Sequence, residues 1–156
     1  MERVALACAT ALAMLFHGAC GSGSPTAPTP TPASTPAPTP TPVMDAVSLG
    51  SIAPAAGSPL QASQTVTFTA TLNYTLASAE SGQIVIVIQD QSNRRLQPSG
   101  RPQPAAVVTK GTSTATLADS IVVPASDVSS VRVVFPLIPT GATRTDVIVS
   151  VSYPVD

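Results

Sequence analysis

From Thr65 to Leu76 the chain alternates almost without fault. Val66, Phe68, Ala70, Leu72, Tyr74 and Leu76 fall at one parity, and Thr67, Thr69, Thr71, Asn73 and Thr75 at the other. Side chains on an extended strand point to opposite faces with a period of two, so this segment reads as a strand with one buried face and one solvated threonine face. A strand buried on one side cannot exist alone. It needs a second layer over its apolar face, which restricts the chain to sheet-on-sheet or helix-on-sheet architectures. No segment carries the apolar spacing of an amphipathic helix. The covering layer is therefore expected to be another sheet.

Further strands are expected at Val47–Ile52, Ile84–Ile88, around Val107 and Val108, and at Ser113–Leu117, Ile121–Val123, Val131–Phe135 and Val147–Tyr153. Turn-forming residues separate them at Pro54–Pro59, Ser81-Gly82, Asp90–Gln103, Lys110-Gly111, Pro124–Ser126 and Pro136–Gly141. Seven to eight short strands in residues 43–156, about 110 residues, make a single all-β sandwich domain the expected fold.

Residues 24–42 contain only Ser, Pro, Thr and Ala, with Thr-Pro recurring from Thr29-Pro30 to Thr41-Pro42. Proline fixes φ and removes an amide donor, which rules out helix and sheet interior and favours extended polyproline II. At ~3.1 Å per residue such a disordered stalk reaches on the order of 60 Å. The linker is thus expected over residues 20–42, with the folded domain beginning at residue 43.

The N-terminus has the layout of a signal peptide over residues 1–19: a charged start at Glu2 and Arg3, an apolar stretch from Val4 to Phe16, and His17-Gly18-Ala19 ahead of Cys20. The apolar stretch falls short of the ~20 residues a membrane-spanning helix needs. His17-Gly18-Ala19-Cys20 resembles the lipobox of bacterial lipoproteins, with Gly18, Ala19 and Cys20 matching and His17 standing where an aliphatic residue is usual. The resemblance implies cleavage before Cys20, lipid attachment to its thiol, and a place in the bacterial cell envelope, lipid-anchored in the outer membrane or facing the periplasm. Gly21 stands where some lipoproteins carry the Asp that retains them at the inner membrane. Secretion after ordinary signal cleavage is the alternative.

In outline the strand pattern resembles the immunoglobulin-like domains that recur in bacterial envelope proteins, with an early proline-glycine turn, one long alternating strand and a last strand ending near Tyr153. That resemblance implies an immunoglobulin-like sandwich; fibronectin-like and jelly-roll topologies are the alternatives. The cysteine pair and tryptophan of antibody-type domains are missing, since both cysteines, Cys8 and Cys20, precede the domain and the chain has no Trp.

The inventory of reactive groups argues against an enzyme. The single histidine, His17, lies in the segment expected to be removed, so neither a Ser-His-Asp nor a Cys-His arrangement is available to the mature chain. Asp45, Glu80, Asp90, Asp119, Asp127, Asp146 and Asp156 are scattered over strand ends and turns, where Asp commonly bonds backbone amides. No Gly-x-Ser-x-Gly or phosphate-cradling glycine loop occurs, and no cofactor is expected. Asp90-Gln91-Ser92-Asn93 offers oxygen atoms suited to calcium, but a polar turn is the expected role, and no metal site is assigned. Arg94, Arg95 and Arg101 make that loop locally basic; solvated charge is the expected reading. A net charge of −1 with no basic face argues against nucleic acid.

Some strands are apolar at both parities, notably Ile84–Ile88, Val131–Phe135 and Val147–Val149. In an immunoglobulin-like topology they would share one sheet. With Ile84, Ile86, Ile88, Val131, Val133, Phe135, Val147, Val149 and Val151 inward, the outer face would display Val85, Val87, Val134 and Ile148, a candidate surface for a protein partner or self-association. The expected function is a non-catalytic envelope lipoprotein presenting a binding or spacer module on a stalk; alternatives are an accessory domain of an envelope enzyme and a carbohydrate or adhesion module. Tyr74 and Tyr153 share parity with apolar neighbours and are expected in the core, not as sugar platforms.

Overall fold

The computed structural model describes residues 42–156. The expected signal peptide, Cys20 and nearly all of the stalk lie outside the described residues. The described residues form an all-β fold of β1 (Ala46–Ala53), β2 (Thr65–Val85), β3 (Val87–Asp90), β4 (Ala105–Val122), β5 (Ser130–Pro139) and β6 (Ile148–Pro154), paired antiparallel. One layer has β2 between β1 and β4; the other has β5 between β3 and β6. The far end of β2 also pairs with β5 through Gly82, Gln83 and Ile84, which joins the layers at one corner.

The alternation of β2 works as its sequence requires. Phe68, Ala70, Leu72, Tyr74 and Leu76 are buried, while Thr67, Thr69 and Asn73 are exposed. Facing them from the other layer are Ile88, Val131, Val133, Phe135 and Tyr153, each fully buried. The Phe68 and Tyr153 rings meet at a centroid distance of 5.1 Å, a tilted contact between β2 and β6, which share no backbone pairing. The Tyr153 hydroxyl donates to the Pro54 carbonyl at 2.9 Å, so burying the ring leaves no orphaned hydroxyl.

Six strands stand where seven or eight were expected, because the segments expected around Val107 and Val108, at Ser113–Leu117 and at Ile121–Val123 merge into the single strand β4; two expected turns also lie inside strands. Ser81-Gly82 is part of β2 and Lys110-Gly111 part of β4. The β2–β4 ladder runs from Thr65 opposite Val122 to Val85 opposite Ala105, interrupted by an irregularity between Leu76 and Ser81. There β2 bulges, and Gly111 on β4 takes φ of 113°, a conformation open to glycine, so both strands bend together. Gly82 serves a different purpose. A Cβ there would lie 2.8 Å from the Ile138 carbonyl oxygen, so glycine permits the close approach of β5.

Two further expectations shift. Ile84–Ile88 does not form one strand: β2 ends at Val85, and the Ile86 amide donates to Pro104 at 3.1 Å before β3 begins. Pro136–Gly141 is not all turn, since β5 continues through Pro139. Proline is tolerated at position 136 because it falls where β5 changes partners, from β2 at Leu137 to β3 at Val134.

Candidate functional site

The three strands apolar at both parities do assemble in one sheet. Val87 pairs with Val134 and Val134 with Ser150, while Pro136 pairs with Ile148. Toward the corner, Gln83 lies between Val107 and Ile138, and Val85 is opposite Ala105. The outer face therefore carries an apolar band from Val107 through Val85, Val87, Val134 and Pro136 to Ile148. An open cavity of about 350 Å³ adjoins it, lined by Gln83, Val107, Ile138 and neighbouring residues 139–142.

Exposure along the band differs from the expectation. Val85 and Val134, expected to be displayed, are only 7% and 8% exposed, and Val87 is half-buried. Val134 lies on the central strand between Val87 and Ser150, and Val85 ends β2 opposite Ala105; side chains packed laterally along a sheet leave little room for water. Ile148, on an edge strand, is 50% exposed, and Val107 is 84% exposed. Val107 was missed in the sequence because its parity depends on the Gln83 register across the β2–β4 irregularity. The accessible part of the surface is thus its two ends.

A polar rim bounds the band at β3. Arg132 donates from Nη2 to Gln89 Oε1 at 3.3 Å and to Asn93 Oδ1, so amide oxygens hold the guanidinium. Asn93 reaches this position with φ of 63°, in a turn organised by Asp90. Asp90 Oδ1 accepts from the amides of Ser92 and Arg94, each at 2.9 Å, and Oδ2 accepts from Arg94 Nε at 2.9 Å. Burial by itself raises the Asp90 pKa, but the Arg94 and Ser92 amides and the Arg94 guanidinium outweigh it and hold the carboxyl below its ordinary value. With both oxygens engaged, Asp90 closes a turn. Among the described residues no cluster of three or more His, Cys, Asp or Glu side chains is placed to hold a metal.

The basic loop stays solvated as expected: Arg94, Arg95 and Arg101 are all exposed, and two of them reach back to buried carboxylates, Arg94 to Asp90 and Arg101 to Asp119 at 3.0 Å. Asp119 is 3% exposed and also accepts from Gln97 Nε2 at 2.7 Å. Gln97 in turn donates to the Ile86 carbonyl at 3.0 Å and accepts from the Ile88 amide at 3.2 Å. This buried network, invisible in the sequence, ties the 91–104 segment across the gap between β3 and β4.

At the opposite end of the chain, Asp45 precedes β1. Its Oδ1 accepts from the amides of Ala77 at 2.7 Å and Ser78 at 2.9 Å, and its Oδ2 accepts from the Ser78 hydroxyl. The carboxylate therefore satisfies backbone donors freed by the β2 irregularity. Desolvation raises its pKa, and these bonds together more than reverse the effect, leaving it below the ordinary range. No protein-family model matches the chain, and no curated protein is similar to it.

Proposed function

We propose that this protein is a lipid-anchored component of a bacterial cell envelope, with its sandwich serving as a non-catalytic binding or spacer module on a Thr/Pro stalk. The address rests on Cys20 and its lipobox-like setting, and the reach on residues 24–42. The observation that carries the module reading is the join between stalk and sandwich. A domain held by its N-terminus needs its first strand fastened, and the three bonds from Ala77 and Ser78 to Asp45 fasten it one residue before β1. The apolar band ending at Val107 and Ile148 supports a protein partner on the outer sheet face.

Mass spectrometry of the mature N-terminus, wild type beside Cys20→Ala, tests the anchor. A diacylglyceryl-modified Cys20 as first residue, lost in Cys20→Ala, is the expected result. An unmodified N-terminus farther along the chain overturns it and leaves the secreted alternative.

A further inference from the structure

An exposed strand edge presents unpaired amides and carbonyls to any extended chain, and folded proteins ordinarily blunt such edges. Three of the edges here are managed. The 91–104 segment covers β3, where Leu96 donates to Ile88 at 2.9 Å, and Arg101 sits against Asp119, a charge pointing inward from β4. On β1 the pairing register breaks between Leu49 and Ser51.

β6 is different. Leu137 donates to the Val147 carbonyl at 2.9 Å and Val155 to Ser129 at 3.0 Å, which fixes the alternation between them. Val149, Val151 and Tyr153 aim their main-chain groups at β5, whereas Ile148, Ser150 and Ser152 aim theirs outward. Farther on, Leu60 occupies the outer edge, donating to Pro154 at 2.9 Å and accepting from Asp156 at 2.9 Å. Among the described residues, the outward groups of Ile148, Ser150 and Ser152 have no backbone partner. All three residues are exposed, and β6 carries no charge and no proline before Pro154.

We infer that this edge is a homodimer contact: β6 of a second copy pairs antiparallel with it, about a two-fold axis through Ser150. Regularly spaced outward amides and carbonyls are satisfied by another extended backbone. A second copy fits for three reasons. The axis at Ser150 places Ile148 opposite the partner's Ser152, so every outward residue meets another outward residue. It also sets Val149 opposite the partner's Val151, in the pair type with closer side chains, twice over; both valines are only half-buried in the single chain. An uncharged strand meets its own copy without repulsion. Leu60 halts the pairing at Pro154, so the contact closes as a dimer and does not propagate. The dimer edge is independent of the lipid anchor.

Sedimentation velocity on the full chain, with Cys8→Ser and Cys20→Ser to remove both thiols, reads this contact. A reversible monomer–dimer equilibrium below about millimolar concentration is expected. Ser150→Lys sets like charges opposite each other at the axis and raises the dissociation constant about fivefold or more. Ser150→Pro deletes the outward amide at the axis while sparing the β5 ladder, and abolishes the dimer. In the same background, mild oxidation of Ser150→Cys yields a disulfide-linked dimer, and Thr69→Cys on the opposite sheet does not. A chain monomeric throughout this range, a folded Ser150→Lys protein that dimerises like wild type, or no Ser150→Cys dimer each overturns the assignment. The last result with a folded monomer would instead leave the edge to a different extended chain.

Discussion

At the scale of single residues, the informative side chains are those that answer a backbone need. Asp45 was legible only as a carboxylate near the start of the domain; that it bonds Ala77 and Ser78 follows from a bulge more than thirty positions away, which no local pattern reveals. Its depressed pKa gives a test with a definite sign. An acid held below its unfolded value, about 3.9, stabilises the fold above that value, and the contribution is lost as pH falls through the folded pKa. Asp90 is depressed likewise and adds to the same acid limb. Urea midpoints measured from about pH 6 down to pH 2 should therefore fall for wild type, and Asp45→Asn should begin lower at pH 6 and fall less steeply. Equal slopes for the two proteins would mean that Asp45 does not couple protonation to folding.

Among the elements, glycine in a polar context is the ambiguous signal. Ser81-Gly82 and Lys110-Gly111 both look like turns, and both lie within long strands. Gly111 is there for its positive φ at the bend, Gly82 for the space that β5 needs. Neither use differs from a turn glycine in composition; they differ in what another strand does nearby. Gly82→Ala forces its methyl toward the Ile138 carbonyl and should cost about 1–3 kcal/mol, read as a lower denaturant midpoint at unchanged slope. A neutral substitution would show that β5 can retreat without losing its pairing to Gly82, Gln83 and Ile84. The apolar runs were the clearer signal. Ile84–Ile88, Val131–Phe135 and Val147–Val149 were expected side by side, and β5 does lie between β3 and β6; among these three strands burial at both parities is confined to the central one, at Val133, Val134 and Phe135, with β3 on one side and β6 on the other.

For the whole molecule, the layers hold together through side chains that meet without sharing a ladder. Phe68 from β2 and Tyr153 from β6 are the clearest pair, both fully buried. Phe68→Ala removes that contact from both layers and should cost about 3–5 kcal/mol, lowering the thermal midpoint with loss of near-ultraviolet circular dichroism from Tyr153. A stable variant with an unchanged tyrosine signal would place the main adhesion between the sheets elsewhere. The sequence by itself determined the all-β class, the inward set on β2, the core placement of both tyrosines and the sheet that gathers the apolar strands, because period-two burial is a local property that each segment carries alone. Only the tertiary structure decided where strands bend, that Val85 and Val134 are buried while Val107 is displayed, and that β6 keeps an open edge. Those outcomes depend on register and on which chain lies alongside, relations between residues far apart in sequence that no single segment encodes.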